Sequence, residues 1–61
     1  MERELLRVEE AAQILGIGRT KAYELVAAGE LRVIRLGRAV RVPRKWLYEW
    51  IDARVADRVA G

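Results

Sequence analysis

Apolar residues recur at helical spacing in three stretches of this chain and alternate with polar residues in a fourth. In the first stretch they stand three or four residues apart, which predicts a helix ending at Gly16, a residue suited to the left-handed conformation beyond a helix C-terminus. A second helix is predicted from about Arg19 to Ala28, closed in the same way by Gly29. The apolar positions are Val8, Ala11, Ala12, Ile14 and Leu15 in the first helix and Ala22, Leu25 and Val26 in the second. We therefore expect two short helices joined by a glycine turn.

The next segment changes period and predicts two β-strands. The alternating runs are Val33-Ile34-Arg35-Leu36 and Val40-Arg41-Val42, with Gly37-Arg38-Ala39 between them. If the apolar side chains of both runs face the core, the loop must have an odd length, most simply three residues. The expected pairs are then Leu36 with Val40 and Ile34 with Val42. This register sets Arg35 opposite Arg41, where like charges disfavour pairing unless an anion lies between them, and leaves Arg38 at the tip.

A third helix is predicted over residues 44–60. Pro43 has no backbone N–H to donate and suits the first turn of that helix. Its apolar stripe is Leu47, Ile51, Val55 and Val59, flanked by Trp46 and Trp50. We expect the first half of the helix to complete the core, and the last two turns to pack on a partner or fray. Residues 1–6 are also expected to fray, unless Leu5 and Leu6 cover the core edge.

The amino-acid composition argues against several classes of protein. The 61 residues allow one domain, 1–61, and contain neither cysteine nor histidine. These absences remove disulfides, thiolate metal sites and the commonest general base, so we expect no enzymatic activity, metal or cofactor. No apolar run reaches the roughly 20 residues that span a bilayer, and Glu2-Arg3-Glu4 does not resemble a secretory signal. We expect a soluble, intracellular protein of the reducing cytoplasm, away from membranes.

Positive charge is concentrated in the middle of the chain. The net charge is +3, but residues 7–45 carry nine basic and four acidic residues, a net +5. The basic residues there are Arg7, Arg19, Lys21, Arg32, Arg35, Arg38, Arg41, Arg44 and Lys45. A polyanion-binding face needs such a concentration, although a solvated surface would show it too.

The helix pair has the residue spacing of a DNA-binding helix-turn-helix. It carries a small residue where the helices cross, a glycine at the turn, and apolar residues at and after the turn. The pattern is Ala12-x3-Gly16-Ile17-x4-Ala22-x2-Leu25. A basic ribbon after such a pair predicts a winged helix-turn-helix, an α+β fold with two short helices, a two-stranded antiparallel wing and a C-terminal helix. A plain helical hairpin with solvated arginines is the alternative.

Several motifs, in this order, resemble a known family over about residues 6–52. They are Val8-Glu9-Glu10-Ala11-Ala12, Leu15-Gly16-Ile17, Arg19-Thr20-Lys21-Ala22-Tyr23, Gly29-Glu30-Leu31, Val33-Ile34-Arg35-Leu36-Gly37-Arg38 and Arg41-Val42-Pro43. The family is the excisionase-like branch of the MerR-type winged helix-turn-helix proteins. The resemblance implies a recognition helix that meets the DNA groove through Arg19, Thr20, Tyr23 and Glu24, with Lys21 as a phosphate contact. It also implies a wing with Arg38 at the tip and Arg35 and Arg41 beside it. Tyr23 could instead lie at the core edge with its hydroxyl reaching a phosphate.

The chain departs from the family at several positions. Members usually have Thr or Ser where Arg7 stands and Ser where Gly18 stands, so both helix starts should be weaker here. Arg32 replaces a frequent proline and adds a positive charge. The wing usually carries a second basic residue and an aromatic where Ala39 and Val40 stand, so minor-groove contact is expected to depend on Arg38.

These observations lead to a hypothesis and two alternatives. The hypothesis is a protein that binds double-stranded DNA as an excisionase, bending attachment-site DNA and directing a tyrosine or serine integrase toward excision. A MerR-type activator would need a coiled coil or effector domain after the wing, whereas this sequence ends at Gly61. Several copies side by side on repeated sites would supply the affinity that one small domain lacks. The alternatives are a small transcription regulator of a phage or mobile element, and a protein-interaction module whose basic face binds an acidic partner.

Overall fold

The chain folds into three helices and a small antiparallel sheet. The computed structural model describes the backbone of residues 4–60 and the side chains of residues 4–56. The elements are β1 (Leu5–Leu6), α1 (Val8–Leu15), α2 (Arg19–Ala27), β2 (Ile34–Leu36), β3 (Ala39–Pro43) and α3 (Arg44–Ala60). The predicted α+β winged helix-turn-helix class is confirmed.

Both helices of the pair end on a left-handed glycine, as predicted. Gly16 has a φ of 70°, and the backbone N–H of Ile17 donates to the carbonyl of Ala12 at 3.0 Å. This hydrogen bond spans six residues, from Ala12 to Ile17, and completes a Schellman motif. The same arrangement follows α2, where Gly29 has a φ of 77° and the helix ends at Ala27, one residue before the predicted end. The two glycines therefore fix where each helix stops and the chain turns.

The helix starts lack side-chain caps, as the departures from the family pattern predict. Neither Arg7 nor Gly18 forms a side-chain cap hydrogen bond, and a guanidinium carries no acceptor with which to do so. At α1, however, the backbone N–H of Arg7 donates to Glu10 Oε1 at 2.8 Å. This is one half of a capping box, so α1 begins with partial support and α2 with none.

A third strand, β1, pairs with β3 on the side opposite β2, giving the order β1-β3-β2. Leu5 lies opposite Pro43 and Leu6 opposite Val42. The prediction that residues 1–6 fray is therefore wrong for Leu5 and Leu6, and the stated exception, that they cover the core edge, applies; residues 1–3 lie outside the described part of the chain. The predicted wing keeps its two strands, since β1 pairs only with the base of β3. Two physical gains explain the pairing, because β1 satisfies the free edge of β3 and buries Leu6.

Pro43 ends a strand instead of opening a helix. It is the last residue of β3, and α3 begins at Arg44. The backbone N–H of Arg44 donates to the carbonyl of Glu4 at 2.8 Å, so the pairing with the N-terminal segment continues to the first residue of α3. The prediction that Pro43 lies in the first turn of α3 is wrong by one residue.

The hairpin register differs from the prediction. The pairs are Ile34 with Arg41, Arg35 with Val40, and Leu36 with Ala39. The loop therefore has two residues, Gly37 and Arg38, in place of three. The physical reason is Gly37, whose φ of 61° at the first central position suits a tight two-residue hairpin turn matching the twist of the strands.

The observed register separates two arginines, Arg35 and Arg41, that the predicted register placed opposite each other. Residues that face each other across two strands share one side of the sheet, and neighbours along a strand alternate. Arg35 and Arg41 therefore lie on opposite faces of the ribbon, and no bridging anion is needed for the strands to pair. Leu36 is 54% exposed, because this register puts it on the face of Ala39 and Arg41, opposite the core-facing Val42.

The core lies between the helix pair, the sheet and the first half of α3. Its buried residues are Leu6, Val8, Ala11, Ala12, Ala22, Leu31, Val42 and Leu47. Three alanines let α1 and α2 approach closely, which confirms the predicted small residue at their crossing. Trp50 and Ile51 pack against this core, whereas Val55 is exposed, as expected for the second half of α3. The side chain of Val59 lies outside the described residues.

No helix within the described residues is long and apolar enough to cross a membrane.

Candidate nucleic-acid interface

The outer face of α2 carries the five side chains predicted to meet DNA. Ala22 is buried against α1, so helical geometry turns the neighbouring positions outward. Arg19, Thr20, Lys21, Tyr23 and Glu24 are all exposed. Their exposure is a requirement for reading a groove, and their contacts to DNA stay a prediction.

Tyr23 is tied to α1 through its hydroxyl group. The phenol donates a hydrogen bond to Glu9 Oε2 at 3.2 Å while the side chain remains partly exposed. Partial burial raises the pKa of the Tyr23 phenol, and the hydrogen bond to Glu9 and its charge raise it further. The ring is therefore held by α1, and the phenol oxygen keeps lone pairs that can accept a hydrogen bond.

Glu9 sits among positive charges. Its own backbone N–H lowers its carboxyl pKa most, desolvation opposes that shift, and the Tyr23 hydroxyl and the charges of Arg19 and Arg7 lower it further. The carboxylate therefore stays ionised and offsets part of the positive charge around it.

Two further α2 side chains pair with each other. Lys21 Nζ lies 3.8 Å from Glu24 Oε1 across one helical turn, and both side chains are more than half exposed. Such a pair adds little stability, because solvent and salt screen it. Lys21 and Glu24 are therefore free to exchange this contact for others.

The wing arginines differ in burial. Arg35 and Arg38 are exposed, whereas Arg41 is partly buried and its Nη1 donates to the carbonyl of Val40 at 2.9 Å. This bond uses one of the guanidinium N–H groups and holds the end of the Arg41 side chain against β3. Its remaining donors stay available.

A cleft of about 300 Å³ lies between α2 and the ribbon. Its lining residues are Arg7, Val8, Glu9, Tyr23, Arg38, Ala39, Val40 and Arg41. Of the predicted site residues, the cleft brings together Tyr23, Arg38 and Arg41. The remaining ones, Arg19, Thr20, Lys21, Glu24 and Arg35, lie outside its lining.

Arg7 is a cleft residue that sequence reasoning counted among the basic residues and interpreted as a poor helix cap, but did not predict as a site residue. Its position follows from β1, because continuing the pairing of Leu6 with Val42 brings the next residue beside Arg41. The available signal was the departure itself, a cation at a position where a short capping side chain is usual.

A second, more apolar groove of about 640 Å³ lies between the helix pair and α3. Its lining residues are Leu15, Ile17, Lys21, Leu25, Glu30, Trp50 and Arg54. The Arg54 guanidinium lies 4.6 Å from the ring centre of Trp50 and its Nη2 is 3.0 Å from Glu30 Oε1. The Arg32 guanidinium likewise lies 4.6 Å from the ring centre of Trp46. These two guanidinium groups therefore lie against aromatic rings of the same chain.

Comparison with known proteins agrees with this geometry. The helix-turn-helix domain family matches residues 5–55. A protein named "Probable excisionase" from Saccharopolyspora erythraea is 48% identical over 58 residues, which cover 95% of this chain and 59% of that protein. A protein of Mycobacterium tuberculosis (strain ATCC 25618 / H37Rv), named as a candidate DNA-binding protein, is 33% identical over 54 residues, 88% of this chain and 69% of its own length. No solved structure matches the chain. The family match extends over most of the sequence, and the chain therefore belongs to the helix-turn-helix domain family.

Proposed function

We propose that this chain binds double-stranded DNA and acts in recombination as an excisionase. The observation that carries the proposal is the 48% identity to the S. erythraea protein over 95% of this chain. The fold supports it, because α2 presents five exposed polar or aromatic side chains beside a ribbon that carries three arginines. A major groove about 12 Å wide admits one α-helix.

In this proposal α2 is the recognition helix. Arg19, Thr20, Tyr23 and Glu24 meet the base edges, and Lys21 contacts a phosphate. Glu24 can accept from a cytosine amino group, and Arg19 can donate to a guanine. Reading by these side chains would set sequence preference, and phosphate contacts would set register.

The wing supplies a second set of contacts to the duplex. Arg38 lies in the two-residue turn and reaches toward the minor groove, whose negative potential attracts arginine where the groove is narrow. Arg41 and Arg35 approach the backbone from opposite faces of the ribbon. Binding at two grooves bends the DNA, which is the means by which an excisionase of the MerR-type branch would steer a tyrosine or serine integrase.

The proposal extends to the wider role of the protein. The protein acts by occupying DNA and performs no chemistry itself, in the bacterial cytoplasm at the nucleoid. Several copies on adjacent repeats would raise affinity without new contacts within each domain.

A second candidate, a transcription regulator of a mobile element, is supported by the name of the M. tuberculosis relative, which refers to DNA binding alone. An in vitro excision assay with the cognate integrase separates the two. Stimulation of excision supports the recombination role, whereas DNA binding without stimulation supports the regulator. A protein-interaction module would show no retardation of attachment-site DNA in a gel shift.

A further inference from the structure

Three arginines from separate segments line the cleft between α2 and the ribbon. Arg7 precedes α1, Arg38 lies in the hairpin turn, and Arg41 lies in β3. They are up to 34 positions apart in the sequence, so the fold alone brings them together. Glu9 is the carboxylate among the residues that line this cleft, which leaves a formal charge of +2 there.

These arginines lack carboxylate partners. Within residues 4–56, Arg7, Arg38 and Arg41 form no ion pair. Cations elsewhere on the surface do, as Arg44 pairs with Glu4 at 3.6 Å and Arg54 with Glu30 at 3.0 Å. Glu9 offsets only part of the positive charge gathered in this concavity, so the arginines repel one another and an anion entering the cleft would relieve that repulsion.

We propose that the cleft binds a phosphate of the DNA backbone, held jointly by Arg7 and Arg41 with Arg38 beside them. The inference rests on the proposed DNA binding and adds Arg7 to its contacts. Arg41 offers N–H groups not used by the bond to Val40, and the Arg7 guanidinium has no capping role. Planar guanidinium groups bind phosphate oxygens in pairs of parallel hydrogen bonds.

Such a site would join the two DNA-binding elements. Tyr23 of α2 lines the cleft with its hydroxyl held by Glu9, and the strand leading back from the turn forms the other wall. A phosphate there would lie where the DNA backbone passes from the groove that holds α2 to the groove that holds the wing. Glu9 limits the charge of the site, which disfavours binding of arbitrary anions.

The test is the salt dependence of DNA affinity. Fluorescence anisotropy with the full chain and a labelled attachment-site duplex, between about 50 and 200 mM salt, gives the slope of log affinity against log salt. Arg7→Gln should weaken binding roughly 5- to 150-fold, equally for specific and unrelated duplexes, and change the slope little, because Arg41 still neutralises the shared phosphate. The R7Q/R41Q double variant should reduce the slope by about one, because it leaves that phosphate without a cation. Lys45→Gln, which removes the same charge from the exposed side of α3, should leave both the affinity and the slope unchanged.

Each other result overturns a defined part of the proposal. A slope loss of about two in the double variant would place the arginines on separate phosphates. A slope loss of about one in R7Q alone would give Arg7 a phosphate of its own, and an unchanged affinity of R7Q would remove Arg7 from the interface. A wild-type chain that fails to bind any duplex would overturn the proposed function instead.

A separate measurement checks that each variant folds. R7Q leaves the backbone bond of Arg7 to Glu10 intact, whereas R41Q loses the bond to Val40. Circular dichroism melts identify any variant that does not fold. If R41Q does not fold, Arg41→Met, which also removes the charge and keeps the aliphatic length of the side chain, replaces it in the double variant under the same criterion.

Discussion

Gly16→Ala tests whether the turn of the helix pair depends on a left-handed residue. Gly16 has a φ of 70°, and a Cβ built there meets no atom within 4 Å, so the cost is backbone strain and not a clash. That strain is about 1–2 kcal/mol for an L-residue, offset by about 0.4–1 kcal/mol because alanine stiffens the unfolded chain. The expected net loss of about 1 kcal/mol lowers Tm by about 4–8 °C in a domain of this size.

Gly18→Ala is the matched control for this change. Gly18 also has open space around its Cβ position, but its φ of −75° suits alanine. The loss of a weak helix cap and the gain from a stiffer unfolded chain nearly cancel there. Urea and thermal unfolding followed by circular dichroism measure both variants. Equal stabilities of the two would refute the reasoning, since they would mean that the sign of φ at Gly16 carries no cost.

Three further outcomes follow from the sheet and the cleft. Arg38→Ala should weaken DNA binding by about 1–3 kcal/mol in anisotropy titrations, and Arg35→Ala by less, because Arg35 does not line the cleft; equal losses would contradict the observed register. Leu6→Ala should destabilise the fold by about 2–5 kcal/mol, measured by urea unfolding, whereas a fully stable variant would show that β1 is dispensable. Because the carboxyl pKa of Glu9 is lowered from 4.5, its contribution to stability is present above that pH and lost as the pH falls through the lower folded value. Melting curves should therefore show that acid destabilises Glu9→Gln less than it destabilises the wild type. Equal losses of stability in the two proteins would contradict that assignment.

Local signals were enough to predict the helices. Each of the two short helices is marked by apolar spacing and by a glycine whose positive φ few other residues adopt, so Gly16 and Gly29 could be located without knowledge of the tertiary structure. The exposed face of α2 followed from the same period, because burial of Ala22 determines which neighbours face solvent.

The sheet depended on longer-range effects. Two residues, Leu5 and Leu6, are too few to show alternation, so β1 could be recognised only from the free edge of β3. The register prediction assumed that Leu36 and Val42 share the core face, but the two-residue turn at Gly37 decides the pairing and puts Leu36 on the other face. Arg7 was missed for the same reason, because its approach to Arg41 exists only once β1 has paired.

The tight turn of the wing sets its reach. Val42 is anchored in the core, and Arg38 follows four residues outward along β3, a span of about 13 Å at strand geometry. Since the loop has only two residues, the ribbon would hold a fixed distance between the helix in one groove and the arginine in the next. One inserted base pair shifts the DNA by about 3.4 Å, a displacement that a ribbon of fixed length cannot follow. The spacing between the two contacted DNA segments should therefore be as strongly specified as their sequence.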